Sequence, residues 1–62
     1  LNEQWMTSNG DQVHVFQDRH GDWRWHVRAG NGEIVGQGES HPERSSAVAA
    51  AERHHPRVED GE

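Results

Sequence analysis

Residues 23–29, Trp23-Arg24-Trp25-His26-Val27-Arg28-Ala29, alternate apolar and polar side chains at every step. Period two marks a strand with one buried face, because successive side chains point to opposite sides of a sheet. The same alternation runs through Gln12-Val13-His14-Val15-Phe16-Gln17. Between the two runs, Asp18-Arg19-His20-Gly21 supplies turn chemistry, with Gly21 free to take positive φ. A three-residue loop at Arg19-His20-Gly21 sets Asp18 opposite Asp22, Val15 opposite Trp25 and Val13 opposite Val27. Downstream, Asn31-Gly32 is a strong hairpin signal and predicts a two-residue turn into a third strand over residues 33–39. That turn sets Ala29 opposite Ile34 and Val27 opposite Gly36, and Gly36 and Gly38 weaken the strand. Both hairpins place Val13, Val15, Trp23, Trp25, Val27, Ala29 and Ile34 on one face, a set that a one-residue slip would scatter.

A helix follows. Ser40 and Glu43 match a capping box and Pro42 suits a first helical turn. Ala47, Val48, Ala50 and Ala51 form an apolar stripe at helical spacing. Pro56 ends the helix near His55, with Arg53, His54 and His55 in the last turn, where positive charge suits the macrodipole. The pattern predicts an α+β domain over residues 12–56: a three-stranded antiparallel β-meander followed by one α-helix packed on one face. Its core is Val13, Val15, Trp23, Trp25, Val27, Ile34, Ala47, Val48 and Ala51. Residues 1–11 are expected to form a flexible tail in which Trp5 and Met6 are the only candidates for docking, and residues 57–62 an acidic tail. No internal repeat is evident at this level.

Composition limits what such a domain can do. Leu, Ile, Val and Phe number nine of the 62 residues, below the ~20% at which disorder becomes a serious alternative. Three tryptophans oppose it, since each buries a large apolar area. Association with a second copy would remove more apolar surface from water. The absence of cysteine excludes disulfides and thiolate metal sites. The net charge of −5 disfavours tight nonspecific nucleic-acid binding, which rests on phosphate neutralisation. An acidic chain without lysine is the composition expected of a GC-rich or halophilic source, and nothing resembles a membrane span or signal peptide, so a cytoplasmic location is expected.

The ordered set Val15-Phe16-Gln17-Asp18, Gly21, Trp23-Arg24-Trp25, Ala29-Gly30-Asn31-Gly32-Glu33, Ile34-Val35 and Gly38-Glu39, with the helix around Arg44 to Arg53, resembles DUF1508, the YegP-like family of small proteins of unknown function. The likeness runs without gaps from about Val13 to Arg53. It implies three antiparallel strands plus a helix. Many relatives carry this unit twice, so a single-copy chain is expected to pair as a homodimer. Two positions depart from the family pattern: His41 replaces an aromatic and Ala51 a larger aliphatic, which implies a thinner core beneath the helix. The family has no established reaction, so the resemblance implies no catalytic residue.

Sharing a face with the aliphatic residues makes Trp23 and Trp25 core rather than a stacking platform. The opposite face carries His14, Phe16, Arg24, His26, Arg28 and Val35 together with Gln37, and is the candidate contact surface for a second subunit or a ligand. His14 and His26 are cross-strand partners without a third ligand, so no metal site and no cofactor are expected. The serines Ser8, Ser40, Ser45 and Ser46 sit in no nucleophile motif, and Gly36-Gln37-Gly38 lacks the ending of a phosphate loop. The expectation is a non-enzymatic homodimeric structural or interaction module, with a protein partner open. The alternative is a weak nucleic-acid binder using Arg24, Arg28 and Arg19 with Phe16.

Overall fold

The computed structural model describes residues 2–58. Four strands and one helix follow one another: β1 (Glu3–Met6), β2 (Gln12–Gln17), β3 (Trp23–Arg28), β4 (Ile34–Gln37) and α1 (Arg44–His54). The strands form a single antiparallel sheet in the order β1-β2-β3-β4. The fold is α+β, with α1 packed across β2 and β3. The expected three-stranded meander is therefore a four-stranded one, and the segment read as an N-terminal tail contributes its first strand.

The correction has a local cause. Trp5 lies opposite Val13, so β1 adds its indole to the buried face. The core comprises Trp5, Val13, Val15, Trp25, Val27, Ala47 and Ala51. The Trp5 Nε1–H donates to the carbonyl of His55 at 2.9 Å, and Arg57 stands 4.4 Å from the centre of the indole face. Strand β1 is thus clamped between β2 and the end of the helix.

Three hairpins share one geometry. In each, the first residue of a five-residue segment accepts a hydrogen bond from the fourth and donates one to the fifth. The pairs are Gly10 N–H to Thr7 (3.0 Å) and Thr7 N–H to Asp11 (2.8 Å), then Gly21 to Asp18 (3.1 Å) and Asp18 to Asp22 (2.8 Å), then Gly32 to Ala29 (2.9 Å) and Ala29 to Glu33 (2.8 Å). The fourth residue is glycine at positive φ each time: 86° at Gly10, 89° at Gly21 and 92° at Gly32. This is the three-residue hairpin loop closed by a left-handed glycine. Thr7 Oγ1 and Asp18 Oδ1 brace their loops by accepting backbone N–H groups, and Asn31 Oδ1 does so where Ala29 has no polar atom. The glycines stand eleven residues apart, each followed by an acid: Asp11, Asp22 and Glu33. That spacing is a short hairpin repeat, contrary to the expectation of none.

Among the described residues, nothing but the chain neighbours lies within 4 Å of a Cβ built at Gly10, Gly21 or Gly32. Alanine at Gly32 would therefore meet only the cost of left-handed backbone, about 1–2 kcal/mol. Gly30→Ala, in the same loop at ordinary φ and in open space, is expected to be close to neutral. Denaturant midpoints of the two variants check the contrast.

The registers Val13–Val27 and Val15–Trp25 are as expected from the sequence. The third hairpin differs. Its loop has three residues rather than two, which sets Arg28 opposite Ile34, and a bulge then restores Val27 opposite Gly36. Ile34 consequently shares a face with Arg28 and is exposed, not core. Trp23 and Val48 are only partly buried at the margin of the cluster. The Ser40–Glu43 capping box does not form either: Glu43 is the N-cap residue and makes no side-chain capping bond. His41 is held extended by two backbone hydrogen bonds to Trp23, of 2.6 and 2.8 Å, so the helix cannot begin until Arg44.

Residue 58 extends the ordered chain past the helix. Val58 N–H donates to Met6 C=O at 2.9 Å on the outer side of β1. Arg57 pairs with Glu3 at 2.9 Å and with Glu52, and Arg44 also pairs with Glu3 at 2.9 Å. Of the acidic tail read over 57–62, Arg57 and Val58 are ordered against β1, and residues 59–62 lie outside the described residues.

Candidate functional site

The helix covers one face of the sheet and leaves the other open. Alternation from the buried Val13, Val15, Trp25 and Val27 fixes what the open face carries: His14 and Phe16 from β2, and Arg24, His26 and Arg28 from β3. The register places His14 opposite His26 and Phe16 opposite Arg24, so five of the six residues of the candidate contact surface come together as one patch. Val35 is exposed but lies in the bulged part of β4, at the edge rather than within the patch.

Three rings form its centre. The centroids of His14 and His26 are 5.3 Å apart, edge to face. Phe16 stands 5.6 Å from His14 and 5.1 Å from His26, tilted against both. All three are half-buried with no helix above them. These separations fall within the range of favourable aromatic pairs. The neighbouring strands extend the central row with amides, Gln4 beside His14 and Gln37 beside His26.

The patch carries two guanidinium groups, one of them ion-paired. Arg24 Nε donates to Asp18 Oδ2 at 2.8 Å, and this bond is the main reason the Asp18 carboxyl is held below the usual carboxylate range. Arg28 Nη1 donates to the carbonyl of Gly32 at 2.8 Å. Both guanidinium groups are otherwise exposed. His26 is shifted down, first by burial of the ring and then by repulsion from His14 and Arg28, so its neutral form is favoured. Asp18 is the one carboxylate ion-paired here. Glu3 and Glu52 lie on the helix side with Arg44 and Arg57.

A second concavity lies between β4 and the end of α1, an open groove of about 480 Å³ lined by Trp25, Gly38, Glu39, His41, His54 and His55 among others. His54 stacks on the Trp25 indole at 6.1 Å and His55 meets it edge-on at 5.6 Å. The two histidines, adjacent in sequence, thus converge on one ring and cover core instead of forming a ligand pair. The Trp25 Nε1–H is buried against Gly38 and has no acceptor among the described residues. Among the described residues, no three His, Asp or Glu side chains converge as metal ligands, and no helix is long and apolar enough to cross a membrane.

The sequence reading missed two contributors to the sheet's edges. Met6 and Ile34 stand about half exposed, on β1 and β4. The eleven-residue glycine spacing is the signal that would have found β1, and the Ala29-to-Glu33 loop the one that would have moved Ile34.

No curated protein and no solved structure matches the chain. A family model does, described as a domain of unknown function, DUF1508, over residues 18–53, from the residue that precedes the second hairpin loop to the last turn of the helix. The matched span contains β3, β4 and α1 but for its last residue and covers more than half of the chain, and the protein therefore belongs to the DUF1508 family.

Proposed function

We propose that the protein is a non-enzymatic interaction module that works as a homodimer joined along β4. The observation that carries the reading is the state of the two sheet edges. The β1 edge is partly occupied, since Val58 bonds to Met6. The β4 edge has no strand beyond it among the described residues, and it presents Ile34 and Val35 at 49% and 55% exposure. An open edge with exposed branched aliphatic residues favours pairing with another chain. Antiparallel pairing of β4 with its counterpart would continue the sheet across both copies and bury those side chains. The small apolar content of the chain supports the same reading, because a second copy adds buried surface that one domain lacks.

The chemistry of the side chains supports a non-catalytic role. Four of the six imidazoles are packed on other rings: His14 and His26 on each other and Phe16, His54 and His55 on Trp25. Ser45 and Ser46 are exposed on the helix. This leaves no nucleophile held by a base and an acid among the described residues.

Solution mass over a dilution series tests the assembly. The wild-type chain is expected to sediment as a dimer. Val35→Asp is expected to raise the dissociation constant about 100-fold, the effect of losing a central interface residue, while retaining the far-ultraviolet dichroism of the fold. A wild-type monomer at every concentration would overturn the dimer, and an unchanged Val35→Asp dimer would overturn the β4 edge as its seam.

A further inference from the structure

The open face of the sheet has features that dimerisation along β4 does not use. We propose that it is a platform for single-stranded nucleic acid, with bases stacking on the His14–Phe16–His26 rings and phosphates meeting Arg24 and Arg28. Three observations carry this. The rings form a contiguous group, 5.1–5.6 Å between centroids, on a face that no helix covers. An arginine flanks the group on each side along β3, since Arg24 and Arg28 bracket His26 at alternate positions. Each arginine spends one donor on the protein, Nε of Arg24 on Asp18 and Nη1 of Arg28 on Gly32, and these bonds hold the guanidinium groups beside the rings. Among the described residues the other guanidinium N–H groups carry no protein hydrogen bond. Aromatic rings interleaved with cations are what sequence-tolerant single-strand binding requires.

Charge distribution decides between occupants. The chain carries −5 overall, yet the patch holds Arg24, paired with Asp18, and Arg28, which has no carboxylate partner among the described residues. A second copy seated on this face by a two-fold axis would set arginines against arginines. An anion fits instead. An acidic protein segment would satisfy the arginines but would leave the ring group without a stacking partner, and a duplex would keep its bases out of reach of the rings.

Fluorescence anisotropy with labelled single-stranded RNA and DNA oligonucleotides of about a dozen nucleotides provides the test. Because two phosphates are neutralised, affinity is expected to fall about sevenfold between about 50 and about 200 mM salt. Phe16→Ala is expected to weaken binding about tenfold through the loss of one stacked base, and Arg24→Gln with Arg28→Gln to flatten the salt dependence. Tryptophan fluorescence confirms that each variant is folded, and Phe16→Leu provides a second variant that keeps the apolar bulk without the aromatic face. No binding of single strands at low salt would overturn the proposal. So would binding of duplex or of a polyglutamate peptide as tight as that of the single strand, or a folded Phe16→Leu protein that binds like the wild type. The Val35→Asp monomer keeps this face, so loss of assembly and loss of binding are read separately.

Discussion

Trp5→Ala is expected to remove a large part of the domain's stability and to lower its melting temperature more than any other truncation on β1. Truncating a buried tryptophan costs about 3–5 kcal/mol. A 62-residue domain has a total stability of about 3–9 kcal/mol at the usual ~0.05–0.15 kcal/mol per residue. Trp5 is 7% exposed, donates its Nε1–H to His55 and lies under the Arg57 guanidinium. Removing it therefore empties the core opposite Val13, strands the His55 carbonyl at the end of α1, and frees β1 from the helix. Thermal melting by circular dichroism provides the readout, with Met6→Ala, an exposed neighbour on the same strand, as the control that should melt close to wild type. If residues 1–11 acted as a tail, both variants would melt alike.

Gly38→Ala is expected to be the most damaging single-methyl change in the chain. A Cβ at position 38 would overlap the Trp25 indole at Nε1, Cε2 and Cζ2, which are held by the core on one side and by His54 and His55 on the other. Overpacking of this kind costs about 1–3 kcal/mol and occasionally more. The ring cannot yield by rotating, because it is 5% exposed. Gly36→Ala, two residues away on β4, would meet His55 Nε2 at 3.4 Å and Val27 Cγ2 at 3.6 Å, so it is expected to lose little. Trp25→Phe removes the pyrrole edge and with it the Nε1–H that has no acceptor among the described residues. Combining it with Gly38→Ala should recover part of the loss, and a double-mutant cycle of unfolding free energies measures the coupling. Additive effects would show that Gly38 is not small on account of Trp25.

The ring patch was largely legible before the structure. Once Trp25 and Val27 are core, period two requires Arg24, His26 and Arg28 on the other face, and the second hairpin's register requires His14 to meet His26. Its internal geometry was not legible, because the tilt of Phe16 against the two imidazoles and the anchoring of Arg24 by Asp18 depend on side-chain rotamers and on where the loop carbonyls point. Val35 shows the limit from the other side. Its exposure was expected, but its place at the edge of the patch depends on the bulge that follows Arg28.

Alternation and turn chemistry alone determined β2, β3, the loop between them and the core role of Trp25, since a strand pair with one apolar face has a single register that keeps the face intact. The alanine stripe likewise determined which side of α1 is buried, at Ala47 and Ala51. Tertiary structure decided β1, the start of the helix and the fate of Ile34. Glu3-Gln4-Trp5-Met6 has too little alternation to form a strand by itself, and becomes one because Trp5 fills the space beside Val13 and is fastened to the helix end. The helix starts at Arg44 because His41 is already hydrogen-bonded to Trp23. Ile34 is exposed because a loop one residue longer than expected, followed by a bulge, turns its side chain over while leaving Val27 opposite Gly36. For β1 and the helix start, a contact with a residue distant in the chain outweighs the local preference, whereas for Ile34 the length of its own hairpin loop and the bulge beside it do so.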